Sequence, residues 1–197
     1  FSDEQIPDNE DDANGGTGKS LLGLFISQYR NTVKKRGKDA FQKGNTQFAF
    51  QDVGHETRIM FYDDITKDFP LDQIFSEITG DLRVERKNQH PFVIPYKRSP
   101  KFLITTNYAV KGTGSSYERR KYEVELYPYY NERRTPISEF GREFFHGWDE
   151  KEQSRADLFA IDCLSLYINN GLVDLENKGS NARIRQAIKK TKKDFIE

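Results

Sequence analysis

Six residues near the start of the chain have the types and the order that bind phosphate. They are Gly15, Gly16, Thr17, Gly18, Lys19 and Ser20, and an apolar run begins directly after them. A glycine-rich turn lets backbone N–H groups converge on phosphate oxygens, and the N-terminus of a helix adds a partial positive charge. Lys19 would reach the outer phosphates and Ser20 would hold Mg²⁺. The sequence therefore predicts a P-loop, although Ala13 stands where the pattern GxxxxGK[ST] has its first glycine.

Two acidic residues at the end of an apolar run could complete such a site. Asp63 and Asp64 directly follow the run from Ile59 to Tyr62, which is typical of a buried strand. The carboxyl ends of strands in α/β proteins lie where bound phosphates sit. We expect Asp63 to orient the Mg²⁺ shell and Asp64 to polarise the attacking water.

A second predicted strand, from Phe102 to Thr106, begins with three apolar residues and ends with polar ones. The amide of Asn107 at that strand end could sense the γ-phosphate and position water. Arg119 and Arg120 come shortly afterwards, and a guanidinium that reaches the γ-phosphate of a neighbouring subunit would make hydrolysis depend on assembly. The sequence does not distinguish which arginine would do this, and an exposed charge pair is the alternative.

The segment from Arg83 to Lys101 is strongly basic; such a run by itself is usually a solvated face, but together with the motifs above it favours a nucleic-acid contact. It carries six basic residues and one acidic residue, and it reads as a hairpin. Cations with aromatic residues nearby suit phosphate attraction and base stacking, with salt-sensitive affinity. The residues that we expect to contact nucleic acid are Arg86, Lys87, Asn88, His90 and Lys97.

These residues need particular elements to position them. The sequence predicts helices over about 20–35, 71–79 and 158–170, a hairpin of 81–87 with 92–96, β-rich segments at 47–53, 58–62, 102–106 and 121–127, and a basic tail helix around 184–195. Strands that alternate with helices predict an α/β fold. Residues 1–14 are acidic and show no strand before the glycine turn; either that strand ends at Phe1 and a long loop follows, or it is missing.

Composition excludes several classes of protein. The chain has 197 residues, with 31 Lys and Arg against 31 Asp and Glu, so it is not a polybasic protein. Mean hydropathy is −0.84, but 15 Phe and 10 Tyr supply enough apolar surface for a core. No apolar run reaches the roughly 18 residues that span a bilayer, so no membrane partner is expected.

The termini and the cysteine usage bear on where the chain works. The acidic start is unlike a signal peptide. A single cysteine, Cys163, excludes a disulfide framework and suits a reducing, cytoplasmic environment; it should pack within its helix as a small apolar residue. The first residue is Phe rather than Met, so we expect a piece of a longer protein.

The order of these motifs resembles superfamily 3 helicases. GGTGKS, then IMFYDD, a basic hairpin, FLITTN and an arginine pair are similar to motifs A, B, B′ and C of that family, over roughly residues 15–127. The resemblance is greatest to poxvirus- and phage-type primase-helicases. It implies an AAA+-type P-loop NTPase core, with a central mostly parallel sheet flanked by helices, a β-hairpin insertion and a C-terminal helical segment.

The resemblance also implies an activity and partners. The chain would be the ATP-dependent helicase module of a viral, phage or mobile-element replication protein, with ATP and Mg²⁺ bound between subunits of a hexameric ring around single-stranded nucleic acid, DNA being favoured over RNA. Lys19, Ser20, Asp63, Asp64 and Asn107 would form the cis site, with Arg119 or Arg120 as the trans finger. We expect an acidic leader at 1–14, the helicase core at 15–150 and a helical segment at 151–197. An AAA+-like switch or remodeller of protein partners is the alternative, as is an inactive nucleotide-binding scaffold.

Overall fold

The structure is a computed structural model that describes residues 2–3, 17–37, 47–67, 69–108, 115–127, 129–130 and 133–172. Gly15, Gly16 and the predicted tail helix lie outside these residues. The elements, in chain order, are β1 Ser2–Asp3, α1 Lys19–Tyr29, β2 Thr32–Arg36, β3 Ile59–Ile65, α2 Phe75–Thr79, β4 Leu82–Val84, β5 Phe92–Ile94, β6 Lys101–Thr106, α3 Ser115–Glu118, β7 Glu125–Leu126, α4 Pro136–Phe140 and α5 Glu150–Asn170. The chain divides into two compact units between residues 128 and 129.

A parallel three-stranded sheet flanked by helices forms the centre of the first unit, so the chain is α/β as predicted. Its strand order is β2-β3-β6, and both neighbouring pairs are parallel. The short strands β1 and β7 pair with each other, also in parallel. All three carboxyl ends of the central strands lie at one edge of the sheet, which is the edge where α/β proteins bind their ligands.

The middle strand is buried because it is apolar on both faces. Met60, Phe61 and Tyr62 have no exposed surface, and Tyr62 packs edge-on against Phe69 with ring centroids 5.2 Å apart. Such continuous apolar runs are typical of parallel strands that are covered on both sides. Burial also raises the pKa of the Tyr62 phenol well above its usual range.

Helix α1 lies close against this strand because it carries a glycine at the contact. A Cβ atom at Gly23 would lie 2.3 Å from the Phe61 ring, so no other residue fits without displacing that ring. At the helix N-terminus, Gly18 has φ 91°, a left-handed conformation that suits glycine. These two glycines determine where α1 begins and how near it approaches β3.

The helix predicted over 20–35 is too long, because its last four residues belong to β2. Thr32 and Val33 are β-branched and lose side-chain freedom in a helix, which favours a strand. The carbonyl of Asn31 accepts hydrogen bonds from the backbone N–H groups of Arg58 and Ile59, at 2.8 and 3.1 Å, and so directs the chain into pairing with β3.

Four other boundaries also differ from the sequence predictions. Residues 47–52 form turns rather than a strand; the apolar side chains of Phe50 and Val53 are buried in the core without strand pairing. The strand predicted over 121–127 is limited to β7. Helix α5 begins eight residues earlier than predicted, because the Asp149 carboxylate caps its N-terminus by accepting a hydrogen bond from the Glu152 N–H at 2.9 Å. Before the glycine turn a two-residue strand, β1, is present despite the acidic composition.

The predicted hairpin is confirmed as the antiparallel pair β4 and β5. Leu82, Val84 and Ile94 are buried and hold it against the core, whereas Arg83 and Val93 face solvent. Asn88 lies in the connecting turn with φ 59°, a conformation that asparagine tolerates better than most residues. The preceding helix, predicted over 71–79, is a 3₁₀ turn at Leu71–Ile74 that continues into α2.

The second unit begins at residue 129 and contains α4 and α5. Three aromatic rings in the segment that connects these helices pack against one another, with centroids 5.0–6.4 Å apart: Phe144, Phe145 and Trp148. Cys163 on α5 is exposed, so the prediction that it packs in a core is wrong; the apolar residues of this helix are exposed along with it. Among the helices of the described ranges, none combines the length and the apolar character needed to cross a membrane.

Candidate active site

The end of the glycine turn leads directly into α1, as the sequence predicts. Thr17 and Gly18 precede the helix, and Lys19 and Ser20 are its first residues. The Lys19 side chain is buried, and its Nζ donates to Thr17 Oγ1 at 3.2 Å. The ammonium therefore lies beside the turn, near the positive end of the helix, where anions are stabilised.

Asp63 is the centre of the site because three elements meet at its carboxylate. Its Oδ1 accepts hydrogen bonds from Ser20 Oγ at 2.6 Å and from Thr105 Oγ1 at 2.8 Å. Its Oδ2 lies 2.7 Å from Lys34 Nζ. Ser20 is in the first turn of α1, Thr105 is near the end of β6 and Lys34 is on β2, so the carboxylate joins the helix to both neighbouring strands.

These contacts determine the ionisation of Asp63. Burial by itself raises the pKa of this carboxyl, but hydrogen bonds from Lys34, Ser20 and Thr105, together with the Lys34 charge, lower it further than burial raises it. The net pKa lies below the ordinary value for aspartate. Asp63 is therefore an anion at neutral pH.

A bulge at the end of β3 separates the roles of the two acids. Tyr62 pairs with Ile104 and Ile65 pairs with Thr106, so Asp63 and Asp64 together lie opposite one residue. Asp64 has φ 55°, which costs a non-glycine residue roughly 1 kcal/mol or more. Bulges next to active sites re-aim side chains. Here Asp63 turns towards α1 and Asp64 is left exposed at the sheet edge.

Asn107 lies beside Asp64, as its position after β6 predicts. Its Nδ2 donates to Asp64 Oδ1 over a long 3.4 Å. The Oδ1 of Asn107 is buried and has no hydrogen-bond partner among the described residues. A buried acceptor without a partner is costly, so this oxygen is suited to receive a donor from a bound molecule or water.

The donors present suit a magnesium ion. Ser20 and Asp63 offer a hydroxyl and a carboxylate in direct contact, and hard oxygen ligands of this kind are what Mg²⁺ prefers. Within the described part of the chain, no group of three or more His, Cys, Asp and Glu residues is arranged to hold a metal. The fit is that of an ion shared between protein and phosphates rather than one caged by the protein alone.

Two residues of this site are missing from the sequence predictions. Thr105 lies in the segment FLITTN, in which the sequence assigns a role only to Asn107. The sequence predicts a helix at Lys34; the β-branched pair Thr32 and Val33 is the signal for the strand that brings Lys34 beside Asp63.

Thr105 has a testable role, because its single hydroxyl serves both acids. It donates to Asp63 Oδ1 and accepts from the backbone N–H of Asp64, each at 2.8 Å. Thr105→Val keeps the shape and removes both bonds, so we expect a loss of about 1–3 kcal/mol in the free energy of unfolding. Chemical denaturation measures this loss. Thr105→Ser keeps the hydroxyl and should lose markedly less; a Thr105→Val variant as stable as the parent would show that the two hydrogen bonds contribute nothing.

The two arginines have different surroundings. Arg120 is half-buried: its guanidinium lies 5.2 Å from the centre of the Phe75 ring, and it donates to the carbonyl and hydroxyl of Ser116. It lines a cavity of about 280 Å³ together with Phe75 and Tyr117. Arg119 is exposed, and its Nε donates to the Ser115 carbonyl at 3.2 Å. Arg119 is thus presented to solvent, whereas Arg120 packs within its own chain.

The hairpin residues also divide into two groups. Arg86 is half-buried; it donates to the carbonyls of Gln51 and Val53 at 2.9 and 2.8 Å and lies 5.2 Å from the Phe92 ring centre. It therefore supports the hairpin. The other residues predicted to contact nucleic acid are exposed, and they are Lys87, Asn88, His90 and Lys97.

Comparisons with known proteins assign no family to this chain. Neither the protein-family models nor the curated proteins include a match to the sequence.

Proposed function

We propose that this chain is an ATP-hydrolysing P-loop domain and the motor module of a superfamily 3-type helicase from a viral, phage or mobile-element replication protein. One observation carries the proposal: Ser20, the last residue of the GKS sequence, hydrogen-bonds Asp63 at the end of the apolar strand, at 2.6 Å. This contact joins the two residue types that hold Mg²⁺ in P-loop enzymes. The parallel order β2-β3-β6 with α1 above it supports an AAA+-like core, to which β4 and β5 add a hairpin and α5 a C-terminal helical segment.

In this proposal each residue of the site has its own role in ATP hydrolysis. Lys19 and the backbone N–H groups of the glycine turn bind and orient the phosphates of ATP. Ser20 and Asp63 would hold Mg²⁺, which when bound neutralises charge on the β- and γ-phosphates. Asp64, exposed at the sheet edge beside Asn107, orients the water that attacks the γ-phosphorus as the bond to the β-phosphate oxygen breaks. Asn107 fixes the Asp64 carboxylate.

The hairpin favours a nucleic-acid partner over a protein partner. Lys87 and His90 are exposed in the turn that connects β4 and β5. Lys97 is exposed and Tyr96 is 46 % exposed just after β5, at the other end of the hairpin, so the hairpin offers charge at both ends and a stacking surface at one. A remodeller of proteins has no need for a basic insertion at this place. In a hexameric ring, hairpins from each subunit would line the channel and grip single-stranded DNA.

The test is the rate of ATP hydrolysis with and without single-stranded DNA, measured across protein concentration. We expect the rate per chain to rise with protein concentration, because a site completed by a neighbour requires assembly, and to rise further with DNA. A Lys87→Ala/His90→Ala variant should lose most of the DNA stimulation, since electrostatic contacts dominate such binding.

A like-charged residue outside the hairpin supplies the control. Lys151→Ala removes an exposed cation from α5 and should keep the full stimulation by DNA. An ATPase that protein partners stimulate and DNA does not would favour the remodeller. Absence of ATP turnover at every protein concentration, with and without DNA, would contradict the proposed function.

A further inference from the structure

Lys34 makes a contact that the proposed hydrolysis does not use. Its ammonium lies 2.7 Å from Oδ2 of Asp63, while the other oxygen of the same carboxylate accepts from Ser20 and Thr105. The Asp63 side chain is 14 % exposed and the Lys34 side chain 39 % exposed. Lys34 thus reaches the carboxylate from the solvent side, across the ring of Phe61, whose centre is 5.2 Å from its Nζ.

This contact bears directly on metal binding. The negative charge of Asp63 is already balanced by an ammonium of its own chain, so a divalent cation that approaches the carboxylate meets a positive charge. Two cations within a few ångströms of one anion compete for it, because their mutual repulsion grows as their separation falls. While Lys34 keeps its contact with Oδ2, it therefore lowers the affinity of Asp63 for a metal.

We propose that Lys34 is an internal counter-cation that competes with Mg²⁺ for Asp63, so that the site takes up the metal efficiently only together with the phosphates of a nucleotide. The phosphates add the negative charge that lets Mg²⁺ and the ammonium coexist. Lys34 acts through Asp63 and is a positioning residue. The inference rests on the proposed function, since it takes Asp63 to be a metal ligand.

Neighbouring cations do not share this position. Lys35 is on the same strand but contacts the other side, with its Nζ 2.8 Å from the carbonyl of Ala49 and 3.0 Å from the carboxylate of Asp52. Arg36 is exposed on the same face of β2 as Lys34. Arg36 therefore offers a matched control: it has the same charge and its backbone lies opposite Asp63 in the pairing of β2 with β3, but within the described part of the chain the ion pair to that carboxylate comes from Lys34.

The experiment measures metal binding without nucleotide. Mn²⁺ prefers the same oxygen ligands as Mg²⁺, and its free concentration is read from its electron paramagnetic resonance signal. The full chain is titrated with Mn²⁺ as the parent and as K34M, K34R, R36M and D63N. We expect K34M to bind Mn²⁺ about tenfold more tightly than the parent, a modest factor because solvent screens the half-exposed ammonium.

The other variants separate this inference from its premise. K34R keeps the charge and should stay within about threefold of the parent. R36M should do the same, since the exposed side chain of Arg36 makes no described contact with the carboxylate and solvent screens its charge. Equal affinity for K34M and the parent, or an equal gain for R36M, overturns the role of Lys34. If D63N leaves Mn²⁺ binding of the parent unchanged, Asp63 is not a metal ligand, and the proposed function fails with the inference.

Discussion

Lys19→Ala is expected to lower ATP turnover at least a hundredfold. Its ammonium lies beside the glycine turn, at the N-terminus of α1, and no other cation of that turn replaces it. Removing one preorganised donor to a developing negative charge typically costs about 10²–10³ in turnover. The measurement is phosphate release at saturating ATP, with circular dichroism to verify that the variant is folded.

A control on the same helix distinguishes lost chemistry from a perturbed helix. Gln28→Ala changes an exposed residue near the end of α1 and should keep turnover within about twofold, since surface substitutions of this kind have little effect. If a folded Lys19→Ala variant keeps turnover within tenfold of the parent, the glycine turn is not a P-loop.

Arg119→Ala is expected to lower turnover by about 10³-fold or more, the usual loss for an arginine that stabilises the γ-phosphate from a neighbouring subunit. Arg119 is presented to solvent, whereas the guanidinium of Arg120 is held against Phe75 and Ser116. Mixing Arg119→Ala with Lys19→Ala chains should restore part of the activity, because some boundaries then pair an intact P-loop with an intact arginine.

Arg120→Ala is the matched comparison. It should mainly lower the free energy of unfolding, because it removes a stacked and hydrogen-bonded side chain that lines a cavity. Its folded fraction should retain most of the turnover. If Arg120→Ala is folded but inactive and is rescued by mixing, while Arg119→Ala stays active, the two assignments must be exchanged.

The sequence predicted best where burial and chemistry agree. The run from Ile59 to Tyr62 is apolar throughout, so β3 and the position of Asp63 at its end followed from composition alone. The GKS turn and the apolar residues after it likewise predicted the start of α1. A P-loop site needs the serine of the GKS turn close to the acid after the apolar strand, and Ser20 does contact Asp63.

The sequence failed where tertiary contacts decide the structure. Residues 32–36 can continue a helical pattern, and only pairing with β3 makes them a strand that brings Lys34 to Asp63. Thr105 contacts both Asp63 and Asp64 because of the bulge in β3, and no local sequence pattern predicts that bulge. Arg120 is less exposed than Arg119 because its guanidinium stacks on Phe75, a residue more than forty positions earlier in the chain.

The carboxylate of Asp63 has a consequence for how the chain matures during synthesis. Its partners Ser20 and Thr105 are 43 and 42 residues away on either side, so the site draws on three well-separated parts of the sequence. Contacts between such distant residues form late, because each closes a long loop of chain. A nascent chain that has exposed only the glycine turn and β3 still lacks the Thr105 partner of Asp63. If the chain binds nucleotide as proposed, we expect nucleotide to stabilise the fold fully only after β6 has left the ribosome and joined the sheet.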